Sequence, residues 1–231
     1  MKKLSHYYRQ FIYRRQVKLL PEIAGGYGAG GQDVYVADLL GRPTKGIFVD
    51  IGANDGVTIN NTLFFEKELG WSGLAIEPMP DAYAKLKANR CCHTLNACIA
   101  DREGTAEFLE ISGRAQMLSG LIDKYDSQHL RRIDRTIKRL GGSSKTTAVE
   151  CVRFSTAIAR LNIDRIDFLS LDTEGGELDI LRDIDFNTLP VRAISVENNY
   201  FTLTIRDYLA KFGFQHMGTI GIDEIYFNPQ R

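Results

Sequence analysis

From Gly46 onward, short apolar runs alternate with helix-length segments. Runs at 47–51, 74–77, 94–98, 166–172, 191–197, 214–219 and 224–227 have the length and composition of strands, and helical stretches fill most of the gaps. Leu178, Leu181 and Ile184 recur at helical spacing, as do Tyr83 and Leu86, the mark of helices laid on a sheet. This rhythm predicts βαβ units and an α/β fold with a largely parallel sheet. Only Gly218 to Asp223 separates the last two runs, too few residues for a helical crossover, so one strand is predicted to be reversed.

Three segments fall outside the rhythm. Residues 1–40 read as an N-terminal helical appendage and 41–231 as one domain. The first twenty residues hold Lys2, Lys3, Arg9, Arg14, Arg15 and Lys18 and no acid, with Tyr7, Tyr8, Phe11 and Tyr13 interleaved. Packing on the domain, packing on a sister subunit of a homo-oligomer and peripheral contact with a membrane surface all suit such a segment. Gly26, Gly28 and Gly31 match GxGxxG, but no strand precedes them, so the run is expected to be a flexible lead into a helix at 33–40 and not a phosphate loop. An insertion near 104–153 carries one extra strand, GTAEFLEI, and a basic helix at 128–140, whose arginines read equally as a solvated face or an anion site.

Composition narrows the classes. Of 231 residues, 44% are hydrophobic and 25% charged, which excludes disordered and disulfide-scaffold classes. Lys plus Arg (29) balance Asp plus Glu (29), so nothing drives the chain toward nucleic acid. No apolar run is long enough to span a bilayer, and a cytoplasmic location is expected. Cys91, Cys92, Cys98 and Cys151 lack metal-ligand spacing and are expected to be reduced. His6, His93, His129 and His216 share no ligand spacing and are expected on the surface or satisfied in the core.

Ligands of open α/β sheets bind beyond the carboxyl ends of the strands, and here those ends are acidic: Asp50, Glu77, Asp172 and Glu197. Carboxylates gathered on one rim repel one another unless a cation or hydrogen-bond donors offset the charge. A dinucleotide would bring a pyrophosphate and make this worse. S-adenosylmethionine has no phosphate and carries an ammonium and a sulfonium, so it suits the rim. The loop Asp50-Ile51-Gly52-Ala53-Asn54-Asp55-Gly56 allows close backbone approach at Gly52 and tolerates positive φ at Asn54. Glu77, 27 positions after Asp50, is placed to accept both ribose hydroxyls.

Three blocks in order, FVDIGANDGVTINNTLFFEKELGWSGLAIEPMPDAYAKLKANR, CIADREGTAEF and IDFLSLDTEGGELDIL, resemble the FkbM family of class I methyltransferases over about residues 32–227. The resemblance implies a Rossmann-like fold of seven strands with helices on both faces. It also implies S-adenosylmethionine as donor and O-methylation of a hydroxyl on a sugar, glycan or polyketide-type small molecule. Carried to matching positions, Asp50 with Gly52, Ala53, Asn54 and Gly56 would hold the methionine part, Glu77 the ribose and Asp101 the adenine edge. Asp101 also suits a simple turn with Arg102, Glu103 and Gly104.

Asp172 and then Glu174 are the candidate general base or substrate orienter. Thr173 and Glu174 also suit the start of a helix. Glu197 and Asn198 are tentative acceptor contacts. Asp172, Glu174 and Glu197 would also offer hard oxygen ligands to Mg2+, but the metal-free reading is preferred. Two other classes remain for experiment: a binding module that keeps the fold without catalysis, and a nicotinamide-dependent oxidoreductase, which the missing phosphate loop after the first strand disfavours.

Overall fold

The computed structural model describes residues 6–125 and 127–231. In chain order the strands are β1 (Ile47–Ile51), β2 (Ser72–Ile76), β3 (His93–Leu95), β4 (Cys98–Ile99), β5 (Gly104–Ile111), β6 (Gly120–Leu121), β7 (Ser144–Val152), β8 (Ile166–Leu171), β9 (Val191–Glu197), β10 (Gln215–Ile220) and β11 (Asp223–Phe227). The helices are α1 (His6–Arg14), α2 (Gln32–Leu39), α3 (Leu63–Leu69), α4 (Pro80–Asn89), α5 (Ser127–Leu140), α6 (Phe154–Ala159), α7 (Glu177–Asp183) and α8 (Thr204–Leu209). Seven strands form one sheet in the order β10-β11-β9-β8-β1-β2-β3. β1, β2, β3, β8 and β9 run parallel, and β11 is antiparallel to both of its neighbours, the single reversal that the short last connection demanded.

Period-two alternation sorts the strand side chains onto two cores. Val49, Ile51, Leu169, Leu171, Ile194 and Val196 face Phe154 and Ala157 of α6 and Ile180 and Leu181 of α7. Phe48, Phe168, Ala193 and Ile225 face the opposite way, toward Val36 and Ala37 of α2 and Phe64 and Phe65 of α3. Helices therefore cover both faces, as parallel strands buried on both sides require.

The expected strand at 94–98 is split in two. Asn96 donates through Nδ2 to the Glu77 and Pro78 carbonyls, which ends β3, and Cys98–Ile99 pairs instead with β7. A second sheet, β4-β7-β5-β6, results, so the insertion is a folded wall rather than an irregular loop. Its long strand β7 was not anticipated, although Val149 and Cys151 alternate with Ala148 and Glu150 at strand period. The glycine-rich run is also held more firmly than a flexible lead. Asp33 Oδ2 accepts the amides of Tyr27 (2.6 Å) and Gly28 (3.2 Å), and a side chain at Gly26 would place its Cβ 2.1 Å from Asp33 Oδ1.

The division at residue 40 is not a packing boundary. Val36 and Ala37 are fully buried against Phe48 and Phe168. Tyr13 of α1 is buried, its hydroxyl donating to Glu224 Oε1, and the Lys18 carbonyl and Leu20 amide pair with Thr219. Among the described residues no helix is long and apolar enough to cross a membrane. Removing residues 1–40 should therefore strip one face of the sheet and abolish the cooperative thermal transition seen by circular dichroism; a shortened chain that melts like the full one would restore the appendage reading.

Candidate active site

The loop after β1 is built around a buried charge network. Asp50 Oδ2 accepts bonds from Asn60 Nδ2 and Thr62 Oγ1, both at 2.8 Å. Arg90, with its side chain fully buried, donates to Asn60 Oδ1 (3.0 Å), Thr62 Oγ1 (3.1 Å) and Glu66 Oε2 (3.0 Å), with its guanidinium over the Phe48 ring. Burial raises the Asp50 pKa although Arg90, Thr62 and Asn60 pull it down. Alternation explains the placement: Asp50 points to the same face as Phe48, away from the cavity described below, and its carboxylate shapes the loop from behind.

On the cavity side, the Gly52 and Ala53 amides both donate to the Ile76 carbonyl at 3.0 Å. Gly52 has φ 89° and runs so close to the end of β8 that a Cβ would lie 1.8 Å from the Asp172 carbonyl oxygen. No side chain fits there. Asn54 adopts φ 50°, and its amide donates to Glu77 Oε2 at 2.9 Å. Glu77 Oε1 accepts the Met79 amide at 2.9 Å, so each carboxylate oxygen keeps a lone pair for a ligand. Burial pushes the Glu77 pKa up to about 7 against these two bonds.

A cavity of about 250 Å³ opens here, walled by the β1 loop, Glu77 to Lys85, Cys98 and Ile99, the insertion from Phe108 to Ser119, and Asp172 to Glu174. Asn54 Nδ2 is buried in this wall with no partner among the described residues. A buried donor without an acceptor is costly unless a ligand supplies one. This donor, the Glu77 lone pairs and the side-chain-free surface at Gly52 fit the amino-acid and ribose ends of S-adenosylmethionine.

Past β8, Glu177 folds the loop back by accepting Thr173 N (3.1 Å), Thr173 Oγ1 (2.9 Å) and Gly175 N (2.9 Å) at Oε1. Glu174 sits at φ 58°, which aims its carboxylate toward Asp172 and Glu197. One oxygen from each of these three residues lies within 4.8 Å of the others. Burial, followed by repulsion from neighbouring carboxylates, raises Asp172 and Glu197 well above their ordinary values; burial raises Glu174 to about 7, with Arg132 pulling it down and Glu177 pushing it up. Asn199 Nδ2 bridges the cluster, donating to Glu174 Oε2 at 2.8 Å and to Glu197 Oε2.

The structure brings Gly52, Asn54, Glu77, Asp172 and Glu174 to one cavity, with Glu197 behind Asp172. Ala53 is buried behind the loop and Gly56 packs under Leu86 and Arg90. Asp101 is not brought to the wall; its half-exposed carboxylate pairs with Lys124 (3.0 Å) and Arg102 (3.3 Å). Asn198 turns away from the cluster, donating to the Thr202 carbonyl at 2.7 Å, and its neighbour Asn199 takes the inward position. His129 and Arg132 were not expected here. His129 Nε2 lies 3.4 Å from Glu174 Oε2, and Arg132 Nη1 donates to Asn199 Oδ1 at 2.7 Å. The signal was available: residues 129, 132, 133, 136 and 137 share one helical face, and all are at least partly buried.

The strand order of the large sheet, its single reversed strand and a ligand cavity over the carboxyl ends of β1, β2 and β8 define a class I methyltransferase fold. The chain belongs to the methyltransferase FkbM domain family, whose profile matches residues 50–216. Similar proteins include methyltransferase 1 of Beauveria bassiana (strain ARSEF 2860), 26% identical in a 157-residue alignment, with coverage of 64% of this chain and 62% of that protein. Methyltransferase sdnD of Sordaria araneosa is 25% identical in a 169-residue alignment, with coverage of 64% of each chain. This chain thus spans slightly under two thirds of the length of both relatives. Among solved structures, methyltransferase FkbM from Methylobacillus flagellatus KT superposes with a TM-score of 0.46 at 14% identity, covering 80% of this chain and 44% of that one. The METTL16 methyltransferase domain gives 0.43 at 14%, covering 84% and 64%.

The raised carboxylates have a stability consequence. Glu174 binds its proton more tightly in the folded protein than in the unfolded chain, so its favourable contribution is full below about pH 4.5 and is lost as pH rises through about 7. Glu174→Gln should therefore stabilise the fold relative to the parent at pH 8, by up to about 3 kcal/mol, and change it little at pH 4.5, as read from denaturant unfolding. Equal effects at both pH values would show that the carboxylate is not held out of water.

Proposed function

We propose that the protein is an S-adenosylmethionine-dependent O-methyltransferase of the cytoplasm, acting on a hydroxyl of a sugar, glycan or polyketide-type small molecule. The observation that carries this reading is one cavity lined by Glu77, the Asn54 amide side chain, Asp172 and Glu174, with Glu197 behind Asp172. Glu77 would accept the ribose hydroxyls, and Asn54 Nδ2 would donate to the methionine carboxylate. Met79, Phe108 and Cys98 offer the adenine an apolar bed. When bound, the donor supplies an electrophilic methyl group on a sulfonium.

The acceptor is approached from its chemistry. Ile111 and Met117 beside Ser112, Gln116 and Ser119 give a wall of mostly apolar and neutral polar character, with Glu110 paired to Lys145, while the cluster repels phosphates and carboxylates. A neutral polyhydroxylated molecule suits both surfaces, and a nucleic acid suits neither. Asp172 and Glu197 lie side by side in the cluster and burial raises the pKa of both, so together they would retain a proton and orient the acceptor oxygen. Glu174, with a pKa near 7, is matched to take the hydroxyl proton at physiological pH. Alignment of oxygen, methyl and sulfur supplies the larger share of the rate, about 7–11 kcal/mol where placement is good, and the base adds about 10²- to 10⁴-fold.

Calorimetry with S-adenosylhomocysteine, followed by turnover on a panel of hydroxylated acceptors, tests the reading. Glu77→Ala should weaken donor binding by about 10- to 100-fold, the value of a charged hydrogen bond. Asp172→Asn should retain donor binding and lose turnover. Binding of NADH in preference, or turnover unchanged in Asp172→Asn, would refute the assignment; donor binding without turnover on any acceptor would favour a binding module.

A further inference from the structure

The insertion reaches the chemistry from behind. Its helix α5 presents Arg132 to the carbonyl oxygen of Asn199, at 2.7 Å. A guanidinium has donors only, so it dictates which way the Asn199 amide lies. The oxygen must face Arg132, and both N–H groups are then left for Glu174 and Glu197, where the two bonds are found. An amide flipped the other way would set its oxygen against two carboxylates and its donors against a cation. His129, one turn before Arg132 and stacked on Tyr125, closes the same side of Glu174 at 3.4 Å.

We infer that Arg132 is a positioning residue for methyl transfer: by fixing the Asn199 amide and placing a positive charge behind it, it keeps Glu174 aimed and ready to accept the acceptor's proton. The inference rests on the reading of Glu174 as the base. The charge balance around Glu174 favours it. Asp172 at the end of β8, Glu177 on α7, Glu197 on β9 and Asp223 on β11 crowd the cluster with negative charge. Tyr125 faces it as a phenol whose own pKa the Glu174 charge helps raise. Against these stands Arg132 of α5, the leading influence that lowers the Glu174 pKa. The insertion would then be part of the reaction machinery as well as a wall for the acceptor.

The test needs neither donor nor acceptor. Glutamate carboxyl carbons are labelled with ¹³C, Glu174 is assigned by its loss in Glu174→Gln, and the shift is followed from pH 5 to 9. In Arg132→Gln the proton affinity of Glu174 should rise about tenfold, the usual effect of removing a neighbouring opposite charge, while Glu77 across the cavity titrates as before. Arg132→Lys should restore most of the difference. Arg132 occupies a half-buried position on a surface helix, so the fold should tolerate both changes. An unmoved Glu174, or equal movement of Glu174 and Glu77, would overturn the inference. Donor affinity measured on the same samples reports separately on the methyltransferase reading, so failure of one is distinguishable from failure of the other.

Discussion

Carboxyl groups crowded together with little access to water govern the candidate site. Asp172, Glu174 and Glu197 meet beyond the carboxyl ends of β8 and β9, with Asp223 nearby on β11, and burial leaves little solvent between them. Such a cluster survives only if protons, donors or cations offset the repulsion. The fold supplies each: protons held on Asp172 and Glu197, whose pKa values burial raises, the bridging amide of Asn199, and Arg132 behind it. What remains uncompensated faces the cavity, where a cationic, phosphate-free donor would complete it.

The parallel sheet is what makes the arrangement possible. Strands whose carboxyl ends lie side by side deliver residues from distant parts of the chain to one rim, and the period-two alternation decides which of them face it. The same rule separates two kinds of acid. Asp50 ends up among Asn60, Thr62 and Arg90, where it holds the β1 loop in the shape that lets Gly52 pass against Asp172. Glu77 reaches the cavity itself. Asp50 lies within β1 and Glu77 directly follows β2, but only Glu77 lines the cavity.

This distinction marks how far the sequence could be read. The strands of the large sheet, its reversed strand and the acidic rim follow from local patterns, because apolar runs and turn chemistry are properties of neighbours in the chain. Arg90 was invisible to that reading because its partners lie up to 34 positions earlier. Asp101 looked like a ligand contact by motif, yet Lys124 of the insertion draws it outward. Asn198 and Asn199 are adjacent and chemically alike, and only the alternation at the end of β9 tells them apart. Charge alone leaves the basic helix as either a solvated face or an anion site; its inward stripe of His129, Arg132, Ile133, Thr136 and Ile137 carries the better signal.

Proton exchange on donor binding probes the central claim most directly. Calorimetric titration of S-adenosylmethionine at pH 7, repeated in buffers of different ionisation enthalpy, counts the protons released or taken up. A sulfonium entering a site of carboxylates with pKa values near 7 should expel protons, since it stabilises their ionised forms. Net release is the expected result; binding with no release, or with proton uptake, would show that the rim is not built to receive a positive charge.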